Sequence, residues 1–189
     1  DQSMTATGWG HYRFGDKLPT WGLHTMPHWG EQEGKYGWEW IDWLAEKLLA
    51  LKVTHLYLEN TFNPNHDEAL TEKLAQYGQI LLADMAVADA LPAREIDFRL
   101  VTTQQWRDEF IGGKPPPGLV KHQRRKWLKD KSVEACQARG WMVENDNVAD
   151  ALGIMNFGCC IIDPNYAVRQ GPLFRRAEMK IDNEKREAK

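Results

Sequence analysis

The hydrophobic period of this chain changes from segment to segment, and that alternation limits what the chain can fold into. Strand-type residues and glycine fill 6–14 (Ala-Thr-Gly-Trp-Gly-His-Tyr-Arg-Phe), Gly15-Asp16-Lys17 supplies a turn, and 18–26 reads as a returning strand. The chain therefore opens on an antiparallel hairpin. After a loop at 27–34, Trp38, Ile41, Leu44, Leu48 and Leu51 recur at helical spacing and predict a helix over 36–52. Residues 54–60 alternate as a short strand. Leu70, Leu74, Tyr77, Leu81, Met85 and Ala88 then step by three and four, predicting a long helix over 66–90. A strand at 96–102 leads into a helix capped by Thr103 and running to 111. Gly112-Gly113-Lys114-Pro115-Pro116-Pro117-Gly118 breaks the chain, and a basic helix (119–139) and an apolar helix (146–162) follow. A hairpin followed by strands alternating with helices predicts a mixed α/β domain with helices on its sheet.

With 189 residues, the chain suits one domain over 1–163 and a charged tail over 164–189. No run of about 18 apolar residues exists to span a membrane. Cys136, Cys159 and Cys160 are an odd number without a C-x-x-C spacing, so a reducing, cytoplasmic setting is expected rather than a disulfide framework. The net charge of −3 argues against a nucleic-acid partner, but its distribution argues otherwise. Residues 114–131 gather Lys114, Lys121, Arg124, Arg125, Lys126, Lys129 and Lys131 against the single acid Asp130. Such a helix can neutralise several phosphates and make binding steeply salt-dependent. Its plain alternative is a solvated charged face.

Acidic side chains stand in three places where a sheet-and-helix scaffold can gather them. Asp1 precedes a Thr-x-Thr-Gly segment, Glu59 ends a short apolar strand, and Asp146 and Asp150 share one face at the start of the last helix beside Asn147. Clustered carboxylates need a cation, and oxygen donors favour Mg²⁺ or Mn²⁺. Two such ions about 4 Å apart clamp the attacking and leaving oxygens of a phosphodiester. Each acid taken alone reads more simply as a helix cap or a solvated charge.

Asp1-Gln-Ser-Met-Thr-Ala-Thr-Gly8, Leu56-Tyr-Leu-Glu59-Asn-Thr-Phe62 and Asp146-Asn-Val-Ala-Asp150-Ala-Leu, in that order, resemble the RuvC family of Holliday-junction resolvases in its phage-type branch. The likeness extends to about residue 160 and includes Gln76-Tyr-Gly-Gln79. It implies an RNase H-like mixed sheet with an N-terminal antiparallel hairpin and helices on both faces. It also implies a homodimer that nicks four-way and other branched DNA with Mg²⁺ or Mn²⁺, two ions per site. Asp1, Glu59 and Asp150 become metal ligands by resemblance, with Asp146 or Asn147 as the fourth. Lys131 falls where the family has a lysine that steadies charge growing on the scissile phosphate. Phe62 falls where it has an aromatic that stacks on bases at the branch point, and Arg107 takes a family-like basic position. Lys121, Arg124, Arg125, Lys126 and Lys129 complete the expected DNA-binding set.

The family's first acid lies inside a strand with apolar residues on both sides, whereas nothing precedes Asp1 here, so the strand is expected to begin upstream of it. Six of the nine tryptophans lie before residue 44, and those around His24 and His28 are read as a dimer-interface patch rather than a zinc pair, since no metal-spaced Cys or carboxylate accompanies the histidines. Two rival readings remain: an inactive RNase H-fold module that binds branched DNA, and an actin-like phosphotransferase, which lacks its second Gly-rich loop here.

Overall fold

A computed structural model describes residues 6–25, 33–60, 70–90 and 95–166. Asp1, Phe62 and His28 lie outside these, as do residues 167–189. Strand β1 (Ala6–His11) pairs antiparallel with β2 (Thr20–Thr25), so the hairpin forms, with Gly15 taking the positive φ its turn requires. Helix α1 (Glu33–Ala50) leads to β3 (His55–Asn60), and helix α2 (Leu70–Ala90) carries the chain over to β4 (Asp97–Thr102), parallel to β3. Helices α3 (Thr103–Phe110), α4 (Lys121–Ala138) and α5 (Asp146–Ile162) follow.

The result is a mixed α/β architecture with helices on both sides of the strands. On one side, Trp40, Ile41, Leu44 and Leu48 of α1 pack with Ala83, Ala86, Val87 and Ala90 of α2 over Leu58 of β3. On the other, Val148, Leu152, Ile154 and Met155 of α5 pack with Trp106 and Phe110 of α3, Cys136 of α4, and Trp141. The hairpin also has helices on both faces. Trp40 donates its indole N–H to the buried Thr7 hydroxyl at 3.1 Å on the α1 side, and Trp21 packs into the α5 cluster on the other.

On two helices the large apolar residues do not all mark the buried face. Trp38 is 60% exposed, and Trp40 takes the inward position on α1. On α2 the larger residues Leu81 and Met85 face outward, while an alanine-rich face is buried. Small side chains let α1 and α2 approach closely, so the close-packed face carries the less conspicuous residues.

The strands form two ladders among the described residues, not one mixed sheet. A cleft of about 520 Å³ separates β1 from β3, and each ladder is seated separately on α5. Glycines set both seats. A Cβ on Gly8 of β1 would lie 2.1 Å from the Asn147 carbonyl oxygen, and one on Gly158 of α5 would lie 2.6 Å from the Tyr57 ring. The packed body also continues past residue 163. Tyr166 is fully buried, its ring centroid 5.0 Å from that of Tyr12. Among the described residues no helix is long and apolar enough to cross a membrane.

Candidate functional site

Four elements meet at the carboxyl ends of β3 and β4, the place where open α/β structures present chemistry. Their register puts Glu59 beside Val101, one residue before the turn into α3. That turn is tight because Thr102, not Thr103, caps the helix. Its hydroxyl accepts from the Gln105 N–H, and the Gln105 side-chain oxygen accepts from the Thr102 N–H at 2.9 Å, a reciprocal capping box. The cap fixes α3 so that Trp106 turns inward and donates its indole N–H to Glu59 Oε1 at 3.0 Å. Arg107, the next residue, reaches α5, where its Nη2 lies 3.3 Å from Asp150 Oδ2.

Asp150 is held in the interior by the helix that carries it. Asn145 caps α5, its side-chain oxygen accepting from the N–H groups of Asn147 and Val148, and α5 then runs through the core. Only 2% of Asp150 is exposed. Burial pushes its carboxyl above the usual carboxylate range. The Arg107 guanidinium offsets part of that rise, while the charge of nearby Glu59 adds to it. Asp150 Oδ1 and Arg107 Nε are both buried with no hydrogen-bond partner among the described residues. The neighbouring Ser132 hydroxyl donates to the Leu128 carbonyl of its own helix at 3.2 Å and lies close enough to Asp150 to lower its carboxyl as well. Buried polar atoms are nearly always satisfied, and two of those without a hydrogen bond among the described residues thus sit on one ion pair.

Asp146, one turn earlier, is half-buried and ion-paired to Lys129 of α4. Burial alone would raise its carboxyl, but the Lys129 ammonium brings it below its ordinary value. Asn147 is half-buried in the same turn, its backbone against Gly8. The lysine beside the acids is Lys129. Lys131, two residues on, pairs with Glu134, and its ammonium lies 5.9 Å from the Trp127 ring. The difference follows from helical phase: Lys129 shares a face with the buried Ser132 and Cys136, which lay α4 against α5. The structure thus pairs Arg107 with Asp150 and Lys129 with Asp146, sets Asn147 in the same turn as Asp146, and brings Glu59 close enough to Asp150 for its charge to be felt there. Asp1 and Phe62 lie outside the described residues.

The first part of α4 extends from this cluster into solvent. Lys121, Arg124, Arg125 and Lys126 are exposed, Lys126 pairs with Asp130 at 2.7 Å, and the other three form no ion pair among the described residues. The preceding proline-rich turn lies along the helix, where a Cβ on Gly113 would touch the Trp127 ring at 3.8 Å. His24 stacks on Trp43, centroids 4.1 Å apart, and is accounted for by that packing.

Trp106 and Asn145 were not singled out from the sequence. The Thr102-x-x-Gln105 pattern and an Asn directly before the apolar α5 were the available signals. Among the described residues no three His, Cys, Asp or Glu side chains form a group able to hold a metal by themselves. The donors present are nonetheless all oxygen, and one of them is buried and unpartnered, which fits a hard divalent cation completed by further ligands. No model of a known protein family matches this chain, and no curated protein matches it.

Proposed function

We propose that the chain is a RuvC-like, RNase H-fold endonuclease that uses Mg²⁺ or Mn²⁺ to nick four-way and other branched DNA as a homodimer. The observation that carries this reading is Asp150: a carboxylate sealed in the core with an unpartnered oxygen, facing the charge of Glu59 where the parallel strands end.

In this reading Glu59, Asp150 and Asp146 or Asn147 hold the cations, and Asp1 joins them. The ions supply Lewis-acid stabilisation of the attacking and leaving oxygens. The chain's own residues do the rest. Trp106 orients Glu59, Asn145 fixes the turn that presents Asp146 and Asn147, and Arg107 and Lys129 place positive charge beside the scissile phosphate. The exposed cations of α4 bind flanking phosphates. End-labelled four-way junctions and linear duplexes incubated with Mn²⁺ test the reading. Paired nicks at symmetric positions in the junction support a resolvase, and an untouched junction contradicts it.

One observation favours a second reading, a module that binds branched DNA without cutting it. Asp146 and Asp150 each already hold an internal cation. Junction binding that is unaffected by divalent ions, with no nicking, would decide for that module.

A further inference from the structure

The contact between Arg107, which is half-buried, and the buried Asp150 is a poor ion pair by the standards of arginine–carboxylate contacts. Arg–carboxylate pairs are commonly bidentate, with two short parallel bonds. Here a single Nη2–Oδ2 approach of 3.3 Å is made, and the atoms that would complete the second bond, Arg107 Nε and Asp150 Oδ1, are both buried and unpartnered. Burying ions in this way costs more than so incomplete a contact returns. Nor is the guanidinium locked elsewhere: its side chain keeps 23% exposure, and its carbon lies 4.9 Å from the Trp106 ring centroid, a contact that tolerates sliding.

We propose that Arg107 is a resident counter-ion for Asp150 that a divalent cation displaces, so that metal entry and release of the arginine are one exchange. The inference rests on the metal-dependent reading above. It assigns Arg107 two positions. Without metal the guanidinium neutralises the buried carboxylate. With metal it leaves Asp150 along the Trp106 face and is free to meet a phosphate. Binding of metal and of guanidinium at Asp150 is then mutually exclusive, and removing one competitor must strengthen the other. Coupling of this kind runs from about 5-fold to about 150-fold in affinity.

The test uses Mn²⁺ alone, without DNA, titrated calorimetrically into the wild-type chain, Arg107→Gln and Arg107→Lys. The expected result is tightening on the order of tenfold for Arg107→Gln, with Arg107→Lys close to wild type because it keeps the charge. A folded Arg107→Gln that binds Mn²⁺ no more tightly than wild type overturns the inference and leaves the metal reading standing. Absence of Mn²⁺ binding by every form overturns both. A second measurement needs no variant: the Nε–H resonance of Arg107 in the ¹⁵N-labelled wild-type chain, followed during Mg²⁺ addition. It should shift in step with Mg²⁺ binding. Binding that leaves the resonance unmoved contradicts displacement.

Discussion

Trp106 donates its indole N–H to Glu59 across 3.0 Å, joining a residue of α3 to the end of the strand β3. The ring is fully buried, and a Cβ on Gly153 of α5 would come within 2.6 Å of it, so α5 admits the tryptophan only by presenting glycine there. Glu59 is therefore oriented by a side chain that cannot shift. Trp106→Phe keeps most of the ring and deletes the donor. A bond to an ionised group contributes about 1.5–3 kcal/mol, so the variant should unfold in urea with a stability loss near the lower end of that range. Its nicking rate should fall further than its junction affinity, because Glu59 loses its orientation while the cations of α4 are untouched.

Opposite pKa displacements at Asp150 and Asp146 predict a pH signature. Burial raises the Asp150 carboxyl, so without metal the native state binds more protons than the unfolded chain between the ordinary value, about 3.9, and the raised one. The stability this group contributes therefore increases as pH falls through that window and is lost as pH climbs through the native pKa. At Asp146 burial is outweighed by the Lys129 ammonium, so its contribution is present above the ordinary value and disappears as pH falls through the lowered native pKa. Asp150→Asn deletes the first dependence and keeps the second. In EDTA the stability of wild type relative to the variant should rise as pH falls from about 8 toward about 4. Thermal melts across that range measure it.

The fold was legible in the sequence wherever periodicity and turn chemistry agreed. The hairpin, the order of the nine elements among the described residues and the full extent of α5 follow from alternation, Gly15-Asp16 and an unbroken apolar run. The spacing that predicts α2 does not mark its buried face: it runs through Leu81 and Met85, which are exposed, while alanines are buried where the helices touch. The resemblance assigns Lys131 to the scissile phosphate, whereas the ion pair to Asp146 is made by Lys129, a phase that the seating of Ser132 and Cys136 against α5 fixes. Asp150 was legible as an acid on α5. Its burial, and its pairing with Arg107 from a helix 43 residues away, depend on long-range packing that local pattern does not encode.

The thiols give an independent check on packing. Burial pushes the Cys136 and Cys159 thiols up to about 12, whereas Cys160 is half-buried and accepts from Asn156 at 3.8 Å. Thiolate is the reactive form, so neither Cys136 nor Cys159 should react with iodoacetamide at about pH 8 in the native protein. Mass spectrometry of the intact chain should show at most one adduct, on Cys160, and three after unfolding.

The exposed cations of α4 predict a salt dependence. Lys121→Gln, Arg124→Gln and Arg125→Gln combined should weaken junction and duplex binding alike. They should also reduce the slope of log K against log salt by about 0.9 for each phosphate no longer neutralised. Fluorescence anisotropy at several ionic strengths measures both. An unchanged slope would place the DNA elsewhere.

Glu59 and Asp150, in the reading proposed above, form a cation-binding catalytic centre separate from the surface that holds DNA. The most direct measurement compares wild type, Glu59→Gln and Asp150→Asn on one end-labelled four-way junction with Mn²⁺, reading binding and nicking in the same samples. Wild type should make symmetric nicks, and both variants should bind nearly as wild type does without nicking. Nicking by either variant at the wild-type rate, or the absence of nicking by wild type, would contradict a metal centre built on these two acids.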